Sequence, residues 1–438
     1  MRKKGEKMRK SSKMVALAAA LALLVPVAVT AGGKKDVGGS AATKKFSWWH
    51  IGTAANDRVM FQGFADEFMQ QNPGVEIEIT VLENEAFKTK LTTVMQSGTP
   101  PDIFQTWGGG VLAEYANAGL TRDITSFVKG TAWGDSMGEG VWKPYMVHDK
   151  VHAIPVDAGC VTFWYNKELL AKVGYNSFPT DWDDFIVLVK KLKAAGITPI
   201  AIAGGDKWPT MYYWAYLALR LGGPQLFQDT FSGKNAKGFE EETFVRAGQM
   251  LADLAALKPF QEGFLGATYS DQAALMGNGQ AAMELMGQWA PNVEKDNSTS
   301  KVGIGDKLAA ATFPAVKGGK GKASEVMGGG GGYAFGKNAP DVAIEFMKFL
   351  TKKETQIIIA QTNGTMVTTK GAEVGLVDPN AKMVKALVDS CTFFQLYLDQ
   401  GLSPAAGGVL NDSVQAILAG TKTPAQAAAA VQAAHKGN

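Results

Sequence analysis

The sequence predicts an α/β fold built in two lobes, and three observations predict it. Residues 43–57 read as a strand, a loop and the start of a helix; the same pattern returns over 75–94; and after an interruption it starts afresh at 197–221. In the first unit, residues 46–49 have the aromatic content of a strand and Gly52 and Thr53 break it. Asn56 and Asp57 then offer a helix cap, and Met60, Phe64 and Phe68 recur every fourth residue. Open α/β sheets bind ligands beyond the carboxyl ends of their strands, which puts Trp48, Trp49 and His50 where a site is expected.

Further along, Asn72, Pro73 and Gly74 make a turn, and Val75, Ile77, Ile79 and Val81 alternate with polar residues as a half-buried strand does. A loop over 82–86 holds Glu83 and leads to a helix with Phe87, Leu91 and Val94. Asp102 opens a short strand that runs into Trp107 and three glycines, which allow close backbone approach to a ligand. Residues 151–167 read as two strands crossing between lobes, with Asp157 at the break. A helix over 182–195, with Thr180 as cap, ends at Gly196. A strand over 197–203 precedes an aromatic helix over 208–221. Helices over 241–257 and 270–276 lead to a strand over 281–286 that ends in Gly287, Gln288 and Trp289. Residues 318–321 read as an exposed connection, and the five glycines 328–332, Gly329 among them, as a backbone crossing or hinge. A helix over 342–350 and an Ala-rich tail complete the chain.

At the N-terminus seven basic residues precede an apolar run over 14–29, followed by a small-residue cleavage pattern. This is the form of a signal peptide over 1–31, with a flexible linker over 32–43. Removing it takes away seven positive charges and one negative, turning the formal charge from +3 to −3. Nucleic acid is a poor partner for such a chain, since binding it needs a clustered cationic face. No Cys follows the apolar run to carry a lipid. Cys160 and Cys391 permit one disulfide, but their apolar neighbours equally suit free buried thiols.

No phosphate loop, dinucleotide fingerprint, zinc-protease helix or nucleophile elbow occurs. His148 and His152 stand four apart, but Asp149, Lys150 and Val151 between them read as a hairpin turn, so no metal site is expected. Carboxylate runs sit at helix starts, where the dipole favours them, and demand no catalytic role. Aromatics instead recur at loop entrances: Trp48, Trp49, Trp107, Trp164, Trp208, Tyr212, Tyr213, Trp214 and Trp289. Each alone reads equally as core or as a ligand platform; together they favour a ligand, and an indole face suits the C–H face of a sugar ring. Nearby polar candidates are His50, Glu83, Asp102 and Asp157, with Asp102 also placed to satisfy backbone amides at its strand's start.

The order of segments resembles the extracellular sugar-binding proteins of bacterial ABC importers, the maltose-binding-protein-like solute-binding family. The residues that carry the likeness are 72–77, 97–103, 153–170, 178–182, 278–289 and 343–350. The resemblance implies a periplasmic-binding-protein fold with two discontinuous α/β lobes joined by a hinge: lobe 1 over 44–157 and 333–375, lobe 2 over 158–330 and 376–438. It implies a monomeric, exported, non-enzymatic carrier without cofactor. Such a carrier takes an oligosaccharide at the outer face of the cytoplasmic membrane and passes it to an ABC permease. It maps Trp289 onto the family's stacking tryptophan and sets Trp107 and Trp214 near other aromatic positions. The chain departs from the maltose pattern at Gly407–Gly408 and at Gly159, where Asp157 stands in for a carboxylate, which turns the expectation toward xylo-oligosaccharide. An exported glycoside hydrolase and a surface glycan adhesin are the competing readings.

Overall fold

The computed structural model describes residues 44–437; the expected signal segment and linker lie outside them. Three parallel strands open the chain: β1 (Lys44–His50), β2 (Val75–Val81) and β3 (Ile103–Thr106), with Trp48 opposite both Ile79 and Ile103. A hairpin follows, β4 (Met146–Val147) and β5 (Lys150–Val151). Its turn residues His148 and Asp149 take φ of 49° and 61°, the mirror-image turn that matches a hairpin's twist. β6 (Ala153–Pro155) joins the first sheet, and β7 (Asp157–Cys160) leaves it. Then come β8 (Thr162–Asn166), β9 (Thr198–Ile200), β10 (Ala281–Met286) and β11 (Leu308–Ala311), and after them β12 (Glu325–Gly329), β13 (Gly332–Phe335), β14 (Met366–Val367) and β15 (Phe393–Leu396). The first lobe's sheet runs β2-β1-β3-β13-β6, the second lobe's β11-β8-β10-β9, and a third sheet, β14-β7-β12-β15, contains both strands that cross between them.

β1 shows how sequence sets the layers. Successive side chains point to opposite faces, so Phe46, Trp48 and His50 face the helices Ala55–Gln71 and Asp341–Leu350, where Trp48 meets Phe346 edge-on at 5.0 Å. Trp49 faces the other way, against the helix Asn84–Gln96. The second lobe is centred on the helix Trp208–Gly222, buried along nearly its whole surface. Such a helix is apolar all round because every side meets protein. Its one charge, Arg220, is 0% exposed and gives its guanidinium to the carbonyls of Phe313 and Glu325.

Several local expectations change. The helix Trp182–Ala194 is capped by Asp181, whose carboxylate accepts from Asp184 N at 2.9 Å, and not by Thr180. Helix Ala55–Gln71 starts without a side-chain cap of its own, since Asn56 and Asp57 fall inside its first turn. Residues 318–321 are a cap as well as a connection: Lys320 N and Gly321 N bond the carbonyls of Leu221 and Arg220 at the end of the central helix. Cys160 and Cys391 are both free.

The glycines 328–332 form the expected backbone crossing, and close approach accounts for them there. None has a positive φ. A Cβ on Gly328 or Gly330 would strike the backbone of β7 at Gly159 or Asp157. Their lack of a side chain is what lets the two crossing strands pack against each other.

Candidate functional site

The strands β1, β2 and β3 end on one side of their sheet, and β10 ends toward the same space from the second lobe. Between them lies a cavity of about 340 Å³. The first lobe contributes residues 51–54, Asp57, Phe61, Glu83, Gln105 and Trp107; the crossing strands contribute Asp157, Gly330 and Gly331; the second side contributes Trp208, Tyr212, Tyr269, Gln288, Trp289, Tyr397 and Asp399.

An aromatic wall forms on the second side. Trp208 meets Tyr212 at 5.7 Å, Tyr269 at 5.2 Å and Trp289 at 6.4 Å, and Trp289 meets Tyr397 at 6.3 Å. Trp107 faces this wall from the first lobe, braced edge-on by Phe87 at 6.2 Å. Its neighbour Lys88 lies 5.6 Å over the indole and 3.6 Å from Asp399, tying the two sides together. The lobes also meet where Asn56 Nδ2 donates to Asn292 Oδ1 at 3.1 Å and Ala55 N to Asp296 Oδ2 at 3.2 Å. These contacts join the two sides of the cavity.

Asp157 sits at the crossing. Its Oδ1 accepts from Gly331 N at 2.8 Å, no cation is bonded to it among the described residues, and burial pushes its carboxyl up to about 6. Asp57 is likewise raised to about 6, by burial first and by Asp296 across the seam, against the hydrogen bond from Asn363. Gln288 occupies the space that Gly159 leaves, since a Cβ at Gly159 would meet its side chain. Six polar atoms of cavity-lining residues are buried without a partner in the described residues: Asn84 Oδ1, Trp208 Nε1, Tyr269 OH, Gln288 Oε1, Gln356 Oε1 and Tyr397 OH.

Of the residues singled out from sequence, Glu83, Trp107, Asp157, Trp208, Tyr212 and Trp289 come together here. The others lie elsewhere. Trp49 packs on the far face of its sheet under Lys90, which lies 4.5 Å over its ring. His50 is 1% exposed between Trp48 and Phe61, with Nδ1 accepting from Gly52 N and burial lowering its pKa to about 4. Asp102 accepts from Ser47 N and Ser47 Oγ at 2.8 and 2.9 Å, the backbone-satisfying alternative. Trp214 donates to the Phe244 carbonyl at 2.9 Å inside the second lobe. Gly329 is one residue short of the wall, under the ring of Tyr397. His148 and His152 bond separately to Asn117 and Thr121, and no group of three or more His, Cys, Asp or Glu among the described residues is placed to hold a metal ion.

The signature of the bacterial extracellular solute-binding proteins matches residues 55–357. The chain belongs to that family. A probable sugar-binding periplasmic protein of Mesorhizobium japonicum is 28% identical over 244 residues, which is 56% of this chain and 57% of that relative. A multiple sugar-binding protein of Streptococcus mutans is 25% identical over 332 residues, 73% of this chain and 74% of its own. Among solved structures, one described for xylan utilization by the thermophilic bacterium Caldanaerobius polysaccharolyticus superposes with a TM-score of 0.83 at 29% identity, covering 89% of this chain and 99% of that one. A chitin oligosaccharide binding protein gives 0.81 at 25%, covering 90% and 98%. As a member of that family the chain is a solute-binding protein and not an enzyme.

Tyr269, Gln288, Gln356, Tyr397 and Asp399 were not singled out from sequence. Only Gln288 had a signal, its place in the Gly-Gln-Trp turn; the others come from segments far apart in the chain.

Proposed function

We propose that this solute-binding protein captures a short oligosaccharide between its lobes, a xylo-oligosaccharide by preference, outside the cytoplasmic membrane and presents it to an ABC permease. The observation that carries the reading is the cavity wall itself: aromatic rings stand beside buried polar atoms that have no partner among the described residues. An unmade buried hydrogen bond costs about 1–3 kcal/mol, and sugar hydroxyls both donate and accept. They would satisfy Gln288 Oε1, Gln356 Oε1, Trp208 Nε1 and Tyr397 OH while the sugar's C–H faces rest on Trp289 and Trp107. A volume of about 340 Å³ lies at the low end of ligand pockets, which favours a short chain over a polymer. Two solved relatives are described for xylan utilization and for chitin oligosaccharide binding, and both polymers are built from pyranose rings. Isothermal titration with xylo-, chito-, cello- and malto-oligosaccharides decides the matter: tight stoichiometric binding of xylotriose or xylobiose is expected, and binding confined to maltodextrins overturns the preference.

A further inference from the structure

Behind the wall that carries Trp289, two carboxyl groups meet in the dry interior of the second lobe. Glu284 on β10 and Glu294 on the helix Ala290–Asn297 are 0% and 1% exposed, and their carboxyls lie within hydrogen-bonding reach of each other. Glu284 Oε2 also accepts from Gln272 Nε2 at 2.8 Å. The Oε1 atom of each glutamate finds no donor among the described residues, and neither forms an ion pair there. Among the described residues, Tyr213 from the central helix and Tyr269 from the helix Tyr269–Gly277 are titratable groups that feel the pair. Lys295, next along the chain, is exposed.

Two ionised carboxylates cannot share such a contact without a cation, because repulsion adds to the cost of burying each charge. A single proton between them turns both unpartnered oxygens into a donor and an acceptor, a short charge-assisted bond. Burial and the neighbouring Glu284 hold the Glu294 carboxyl well above the usual carboxylate range. The packing around the pair is close: a Cβ on Gly277 would collide with the Glu294 carbonyl.

We propose that Glu284 and Glu294 share a proton at neutral pH, and that this pair is a positioning device which clamps the helix Ala290–Asn297 to β10. The segment it closes, strand end, turn and helix start, is the one that carries Gln288 and Trp289 into the cavity wall. The clamp does not depend on which sugar binds. Loss of the proton at alkaline pH leaves two charges in a dry contact and releases the turn.

The test uses the whole protein and needs no ligand. At pH 8 Asp57 and Asp157, raised to about 6, are about 99% ionised, so an infrared C=O band of a protonated carboxyl at that pH belongs to the pair. The native protein should show this band, and Glu294→Gln, whose amide can still donate to Glu284, should lose it. As the pH is raised from 8 through the loss of that infrared band, the Trp289 emission, taken as native minus Trp289→Phe, should shift in the native protein and stay still over the same range in a Glu294→Gln background. Glu284→Gln serves as the second variant where Glu294→Gln does not fold. A native protein without the band at pH 8 overturns the shared proton. An emission change of equal size in the native protein and the Gln variant overturns the clamp.

Discussion

Trp289 illustrates how one side chain divides between packing and binding. It is only half-buried, touching Trp208 and Tyr397 at their edges while one face lines the cavity. Replacing it with Ala should weaken oligosaccharide binding by about 1–3 kcal/mol, by analogy with aromatic platforms for other ring ligands. The melting temperature should change little; a large drop at unchanged affinity, seen by titration and calorimetry, would mark it as core. Asp157 makes the opposite split. Its carboxyl is raised from 3.8 to about 6 by burial, so the native state holds the proton more tightly than the unfolded chain does. Stability from this group is complete below pH 3.8 and is lost as pH rises through about 6. Asp157→Asn should therefore melt higher than the native protein at pH 7–8, by at most about 3 kcal/mol and by less because cavity water screens the charge. The difference should vanish below pH 4. If the carboxylate accepts sugar hydroxyls, the same substitution should weaken binding. A variant that is both less stable at pH 8 and unaltered in affinity contradicts this account.

At the scale of elements, the sequence showed the layers more clearly than the site. The alternation in β1 and the repeated strand, loop and helix units are local, so they were readable. Trp49 and His50 are adjacent in that strand and must point to opposite faces; the cavity wall begins one residue later, at Ile51. On the central helix, Trp208 and Tyr212 are four apart and share a face, whereas Trp214, six from Trp208, lies about 240° round the axis and faces the interior. Tyr397, Asp399 and Gln356 reach the cavity only because distant segments fold back, which no local pattern records. The glycine crossing was visible, but its reason was not. Because β7 touches Gly328 and Gly330 directly, Gly330→Val should destabilise the fold by overpacking, typically about 1–3 kcal/mol, measured by denaturant titration. Unchanged stability would mean that the strands can part at no cost and that close packing is not what requires glycine there.

For the whole molecule, the contacts between the lobes include Lys88 with Asp399, Asn56 with Asn292 and Ala55 N with Asp296, beside the close approach of Gly109 and Gly110 to the backbone at Gln400 and Leu402. A ligand spanning both walls makes contacts that exist only when the lobes are together, so it should favour the closed form. Saturating oligosaccharide should reduce the radius of gyration in small-angle scattering. Asn292 is outside the cavity wall, which separates closure from contact. Asn292→Ala removes one cross-lobe hydrogen bond, worth about 0.5–1.5 kcal/mol, and so lowers the closed population. Apparent affinity falls with that population, by about two- to tenfold, while the ligand-bound scattering profile stays that of the native complex. A radius of gyration unmoved by saturating ligand would remove closure from the mechanism, and full affinity in Asn292→Ala would show that this pair does not help to hold the lobes together.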